Sequence, residues 1–161
     1  MKLAISYFYQ IRFFKPYMIP VSTAVSDPQW YHNFQDKNYI FLDKRGVANG
    51  FRCELLHGDE TCSELCFGRK KCLDNPNDCL FLKQYRKQLD KINILDFLKE
   101  TSNFAKRVKK WMGFKEEPMI VFIVHEAPSN KCSEREVLLK YFADNHIDCC
   151  ELEYPINSRD Q

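Results

Sequence analysis

The chain has 161 residues, of which 45% are hydrophobic and 14% aromatic, which suits one domain with a single core and a folded globular protein rather than a disordered one. The formal net charge of +2 does not by itself imply a polyanionic partner, and no stretch reaches the roughly 20 apolar residues of a membrane span. Residues 1–7 lack the apolar region and small-residue cleavage site of a secretory signal, so the expected compartment is cytoplasmic.

Leu3, Ala4 and Ile5 form a short apolar run that predicts a buried first strand over 2–6. Residues 18–23 predict a second strand, which Pro20 confines to an edge or delays until after the proline. Asp27-Pro28 reads as a turn, Tyr39 to Leu42 as a short strand, and Asp43 to Gly50 as turn-rich. Apolar residues at Phe81, Tyr85, Leu89 and Ile92 have helical spacing. Asn93 is placed to cap a second helix carrying Leu95, Leu98, Ala105, Val108 and Met112, and Gly113 to end it. The continuous run from Met119 to Val124 predicts a strand buried on both faces of a parallel sheet. A helix with Val137, Leu138, Tyr141 and Phe142 on one face follows, then a strand from Ile147 towards Tyr154. Strand, helix and strand make a βαβ unit. The expected fold is a single α/β domain over 1–161, a mainly parallel Rossmann-like sandwich with helices on both faces and a cysteine-rich insertion at about 53–79.

Of the eight cysteines, Cys62, Cys66, Cys72 and Cys79 are crowded at C-x3-C-x5-C-x6-C spacing among charged and turn-forming neighbours. In a reducing compartment such a group reads as thiols or metal ligands rather than disulfides. Four thiolates in one loop can supply the tetrahedron that structural zinc requires, with an iron–sulfur cluster as the alternative. Cys53 or His57 could replace one of the four. Cys149 and Cys150, in a strand, read as small apolar core residues.

Ligands of open parallel sheets bind beyond the carboxyl ends of the strands. The strand ending at Val124 delivers His125, Glu126, Cys132, Ser133 and Arg135 to that edge. Glu126 or His125 is a candidate acid or base, and Cys132 at a helix start a candidate nucleophile with a depressed pKa. Ser133 or Cys132 could instead simply cap the helix. If the first strand is parallel and central, Ser6 and Tyr7 lie at the same edge, within reach of a phosphate-binding Arg12. Trp30 and Tyr31 offer flat surfaces for a base, with core packing the other reading of Trp30. From Arg69 to Lys115 the chain is basic, with Lys106, Arg107, Lys109 and Lys110 on one helix. Such a run marks a nucleic-acid face or the wet side of an amphipathic helix.

Ser6-Tyr7-Phe8, Ile19-Pro20-Val21-Ser22 and Asp27-Pro28-Gln29-Trp30 resemble the front of the uncharacterised family catalogued as domain of unknown function 488, with its "TSYF", "VPVSIS" and "PPKW" elements. Val121 to Cys132 resembles that family's apolar strand followed by "CxE", a spacer and "CHR". Glu126 matches the acid and Cys132 the later cysteine. The family's His-Arg pair is Ser133-Glu134 here, with Arg135 one residue on. The resemblance covers both ends of the chain and implies an α/β fold without an established activity.

Two functions are compatible with these features. One is an enzyme acting on a nucleotide or nucleic-acid component through glycosidic-bond or base chemistry, with Glu126 as nucleophile or general base. The other is a non-enzymatic nucleic-acid- or protein-binding module using the basic helices and the cysteine loop.

Overall fold

The computed structural model describes residues 1–32, 35–37, 40–58, 79–129 and 133–152. In chain order the strands are β1 (Lys2–Tyr7), β2 (Met18–Ser22), β3 (Gln35–Lys37), β4 (Ile40–Leu42), β5 (Ala48–Asn49), β6 (Phe51–Arg52), β7 (Met119–Val124) and β8 (Cys149–Glu151). Among the described residues the α-helices are α1 (Leu80–Asp90), α2 (Ile94–Met112) and α3 (Glu134–Asp144).

The run from Met119 to Val124 is apolar throughout because β7 is the middle of a five-stranded, all-parallel sheet of order β6-β2-β7-β1-β8. Lys2 to Tyr7 pair with Met119 to Val124 on one side, and Met18 to Ser22 with Met119 to Ile123 on the other. β3, β4 and β5 form a separate antiparallel sheet.

Side chains alternate across the sheet and meet two different layers. Leu3, Ile5, Ile19, Val21, Ile120, Phe122 and Val124 face the three α-helices, packing with Tyr85, Leu89, Phe97, Val108, Leu138 and Phe142. Ala4, Met18, Val121 and Ile123 face the other way, onto Phe8, Ile11, Phe14, Tyr31 and Val47. Those residues come mainly from 3-10 helices at Phe8–Phe13 and Gln29–His32. The expected two-faced α/β sandwich is therefore present, with α-helices on one face and 3-10 helices on the other.

Pro20 lies inside a strand that has neighbours on both sides, a position the sequence reading reserved for an edge. The Thr23 N–H bonds the Ile123 carbonyl, so the polar groups of Pro20, three residues earlier, point away from β7. On that side β6 begins only at Val21, opposite Phe51, so no ladder partner is lost. The fully buried Tyr31 hydroxyl closes the gap, 3.0 Å from the Pro20 carbonyl and 2.7 Å from that of Phe51.

Both predicted ends of α2 are formed. The Asn93 side chain accepts from the Asp96 amide at 3.2 Å, and Gly113 adopts a left-handed φ of 77°. Leu95 is 75% exposed and does not join the core, since Phe97, Ala105 and Val108 define the buried stripe. Cys150 is exposed on the edge strand β8, while Cys149 is half-buried.

The β7–α3–β8 unit straddles β1, which pairs with both of its strands. Chain leaving β1 and β2 passes to the 3-10 layer, whereas chain leaving β7 passes to the α-helical layer. The loops thus diverge on either side of the carboxyl end of β7, the arrangement that opens a crevice for ligands in α/β sheets.

Candidate functional site

Glu126 stands two residues beyond β7, half-buried at this crevice. Its position is set by the first turn of α3. Ser133 caps that helix, its Oγ accepting from the Arg135 amide at 3.2 Å and donating to Glu126 Oε2 at 3.0 Å. Among the described residues Arg135 is the largest fully buried side chain. Its guanidinium donates from Nη2 to the Glu126 carbonyl at 2.5 Å and from Nε to Glu151 Oε2 at 2.8 Å. Arg135 Cζ also lies 5.8 Å from the centre of the Tyr7 ring. Arg135 therefore ties β7, β8, α3 and the end of β1 together, and its place is that of a clamp behind Glu126.

Four buried polar atoms near the carboxyl ends of β1 and β8 have no hydrogen-bond partner among the described residues: Ser6 Oγ, Gln10 Oε1, Arg135 Nη1 and Glu151 Oε1. Gln10 is held by its other end, Nε2 donating to the Tyr7 hydroxyl at 2.7 Å. Unpaired groups this deep are costly unless a water or ligand completes them.

Glu134, the first residue of α3, adds a second carboxyl group. Burial pushes it up to about 8, and the nearby Glu126 charge adds to the shift. Burial likewise raises the Glu151 carboxyl, which the Arg135 charge and hydrogen bond only partly offset. The site thus holds a proton-carrying carboxyl beside a second carboxyl, the pattern of an acid–base pair.

A second polar cluster sits over β2 and β6. Asp27 Oδ1 accepts from the Ser22 hydroxyl and from Arg52 Nη1 at 2.7 Å, and Oδ2 lies 2.8 Å from His32 Nε2. Burial alone would raise this carboxyl, but hydrogen bonds from Ser22, Arg52 and His32 together outweigh it and hold it below the usual range. His125 joins the two clusters, its Nε2 lying 2.5 Å from the Ser26 carbonyl.

The sequence candidates divide accordingly. Ser6, Tyr7, His125, Glu126 and Arg135 come together at the crevice. Arg12 and Trp30 lie in the 3-10 layer, where they line an open groove of about 530 Å³ with Phe8, Tyr9, Ile11, Asp43, Lys44 and Arg45. Tyr31 is fully buried in the core and offers no stacking surface, whereas Trp30, the residue for which core packing was the other reading, is exposed. Cys132 and the ligand candidates Cys62, Cys66 and Cys72 lie outside the described residues. Cys79 is buried with Phe81 and Leu82 at the start of α1, and among the described residues no group of three or more Cys, His, Asp or Glu side chains could hold a metal.

Glu134, Glu151, Gln10 and the Asp27–Arg52–His32 cluster escaped the sequence reading. Asp27-Pro28 showed only a turn, and the partner that gives Asp27 its chemistry is 25 positions away. Among the described residues no helix is long and apolar enough to cross a membrane. No protein-family model, curated protein or solved structure matches the chain.

Proposed function

We propose that the protein binds a nucleotide or nucleic-acid component at the carboxyl edge of the sheet and acts on its glycosidic bond or base. The observation that carries this reading is the pair Glu126 and Glu134 at the end of the central strand, with Glu126 oriented by Ser133 and Arg135. In hydrolysis of an N-glycosidic bond, Glu126 takes the proton of an attacking water whose oxygen bonds the sugar carbon. Glu134 gives its proton to the departing base as the carbon–nitrogen bond breaks. The aromatic and cationic groove beside the crevice supplies surfaces for a base and a phosphate.

The residues that carry the resemblance to domain of unknown function 488 support the same placement. Ser6 to Phe8, Pro20 to Ser22, Asp27 to Trp30 and Val124 to Glu126 all surround this edge. Membership of that family, and zinc held by Cys62, Cys66, Cys72 and Cys79, are parts of the proposal that rest on the sequence pattern.

A thermal-shift screen of nucleosides, nucleotides and free bases tests the binding, and product analysis with Glu126→Gln tests the chemistry. Stabilisation by at least one nucleotide, with turnover abolished in the variant, is expected. A chain that no nucleotide stabilises does not have this function.

The exposed side chains of Lys106, Arg107 and Lys110 favour the second reading, a binding module, because no acid occurs between Thr101 and Lys115. Under that reading Glu126→Gln leaves binding unchanged, whereas Lys106→Glu with Lys110→Glu removes it.

A further inference from the structure

The groove of the 3-10 layer has two flat platforms and an excess of cations. Phe8 and Ile11, both buried, form its floor. On one side the Arg12 guanidinium lies on the Tyr9 ring, 3.7 Å from its centre, and its Nε donates to the Tyr9 carbonyl at 2.9 Å. This makes a flat, positively charged surface of the kind on which bases stack. On the other side Trp30, 42% exposed, packs edge-on against Phe8 with ring centres 6.1 Å apart.

The β4–β5 turn completes the wall and is fixed by its own backbone. Asp43 Oδ1 accepts from the amides of Arg45 at 2.8 Å and Val47 at 3.0 Å, and Gly46 takes the left-handed φ of 82° that the turn requires. The turn presents Lys44 and Arg45, the latter also bonding the Phe14 carbonyl at 3.3 Å. Arg45 Nε and Nη2 also pair with Asp43 Oδ2, so Arg12 and Lys44 carry the excess positive charge that makes the groove electropositive.

We propose that this groove binds a single-stranded nucleic acid, with bases on Arg12 and Trp30 and phosphates along Lys44 and Arg45. It rests on the nucleotide reading above and names the form of that ligand. Two platforms on either side of a floor serve two bases, and an open groove spreads its contacts along a strand, where a mononucleotide calls for an enclosed cleft. The floor also leads to the chemistry. Phe8 lies 5.1 Å from the His125 ring, and His125 precedes Glu126.

Fluorescence anisotropy with a labelled oligothymidylate, beside AMP and a duplex of equal length, tests this on the full chain. The expected result is binding at least about tenfold tighter for the oligothymidylate than for either competitor. The logarithm of its affinity should fall with the logarithm of salt at a slope of about −1.4, from the two phosphate-contacting cations Lys44 and Arg45 at about 0.7 each. Trp30→Ala and Arg12→Ala, both at exposed side chains, should each weaken it at least about fivefold with an unchanged melting temperature. An oligothymidylate that binds no tighter than AMP overturns the strand proposal and leaves the nucleotide site standing. If neither binds, both readings fall. Equal binding of the duplex, equal competition by polyglutamate, or loss of binding through Lys106→Glu instead of Trp30→Ala each overturns it as well.

Discussion

Ser133 and Glu126 are joined by a 3.0 Å hydrogen bond from hydroxyl to carboxylate, so the cap of α3 and the candidate catalytic group form one unit. The same hydroxyl accepts the Arg135 amide, which makes the cap at once a structural and a positioning element.

Ser133→Ala should therefore cost about 1 kcal/mol, the usual range for a lost N-cap being about 0.5–2 kcal/mol. Turnover should fall further than this loss of stability explains, because Glu126 then loses its donor. Ser133→Thr keeps the hydroxyl and should restore most of both. Urea unfolding beside the activity assay separates the two effects, and a threonine variant as impaired as alanine counts against the positioning role.

Arg135 and Glu151 form the most deeply buried ion pair among the described residues, their side chains 2% and 20% exposed. Removing one partner of such a pair strands the other charge, at about 3–5 kcal/mol. Arg135→Met is expected to lose stability in this range, and Arg135→Met combined with Glu151→Leu to recover a substantial part of it. A double variant no better than the single one would show that the loss comes from packing rather than from charge.

Glu134 makes stability depend on pH in a defined direction. Its folded-state value of about 8 lies above the ordinary 4.5, so the fold prefers its protonated form. Its contribution is full below pH 4.5 and is lost as the pH rises through about 8. Stability should fall across this window by at most about 1.4 kcal/mol per pH unit. Glu134→Gln removes this slope, so the variant should gain on the wild type between about pH 5 and pH 9 in paired denaturant titrations. Parallel curves would assign the carboxyl an ordinary value.

Tyr31→Phe removes the hydroxyl that lies between the carbonyls of Pro20 and Phe51. Those carbonyls lose a buried donor, at about 1–3 kcal/mol. Amide exchange should quicken in β6 and at the β2 end next to it while β1 and β7 remain protected. Uniform acceleration across the sheet would mean that the hydroxyl supports the whole core.

Local signals in the sequence were the reliable ones. Asn93 and Gly113 act on backbone groups within four residues, and their roles follow from residue type alone. The run from Met119 to Val124 was equally legible, because burial on both faces leaves no room for a polar residue. The placement of Pro20 was not, since it depends on how far a two-residue strand from elsewhere in the chain extends. Arg135 shows the same limit. One residue after a cap, a guanidinium looks like a solvent-facing or ligand-facing group, and only the arrival of β8 buries it against Glu151. The strand edge and the acid that follows it were thus legible in the sequence, while the residues that pack around them depend on tertiary contacts.

Native mass spectrometry should read one zinc per chain if Cys62, Cys66, Cys72 and Cys79 share a metal. Cys66→Ser should abolish it, and Cys132→Ser should leave it intact. A colourless chain carrying no metal removes this part of the proposal, while absorbance in the visible range would point to an iron–sulfur cluster instead.

The central position of β7 bears on how the chain folds. β1 and β2 come early in the sequence yet never pair with each other, since β7 lies between them. Until Met119 to Val124 are available, these two strands can only flank a gap two strand spacings wide, about 9–10 Å. Most of the sheet's hydrogen bonding therefore joins residues about a hundred positions apart, as in the pairing of Lys2 with Met119. Topologies of this kind fold slowly, because a long loop must close before any native pair forms. During synthesis β1 and β2 emerge well before β7, with unpaired apolar strand edges, a state in which chaperones or a bound partner would protect the nascent chain from aggregation.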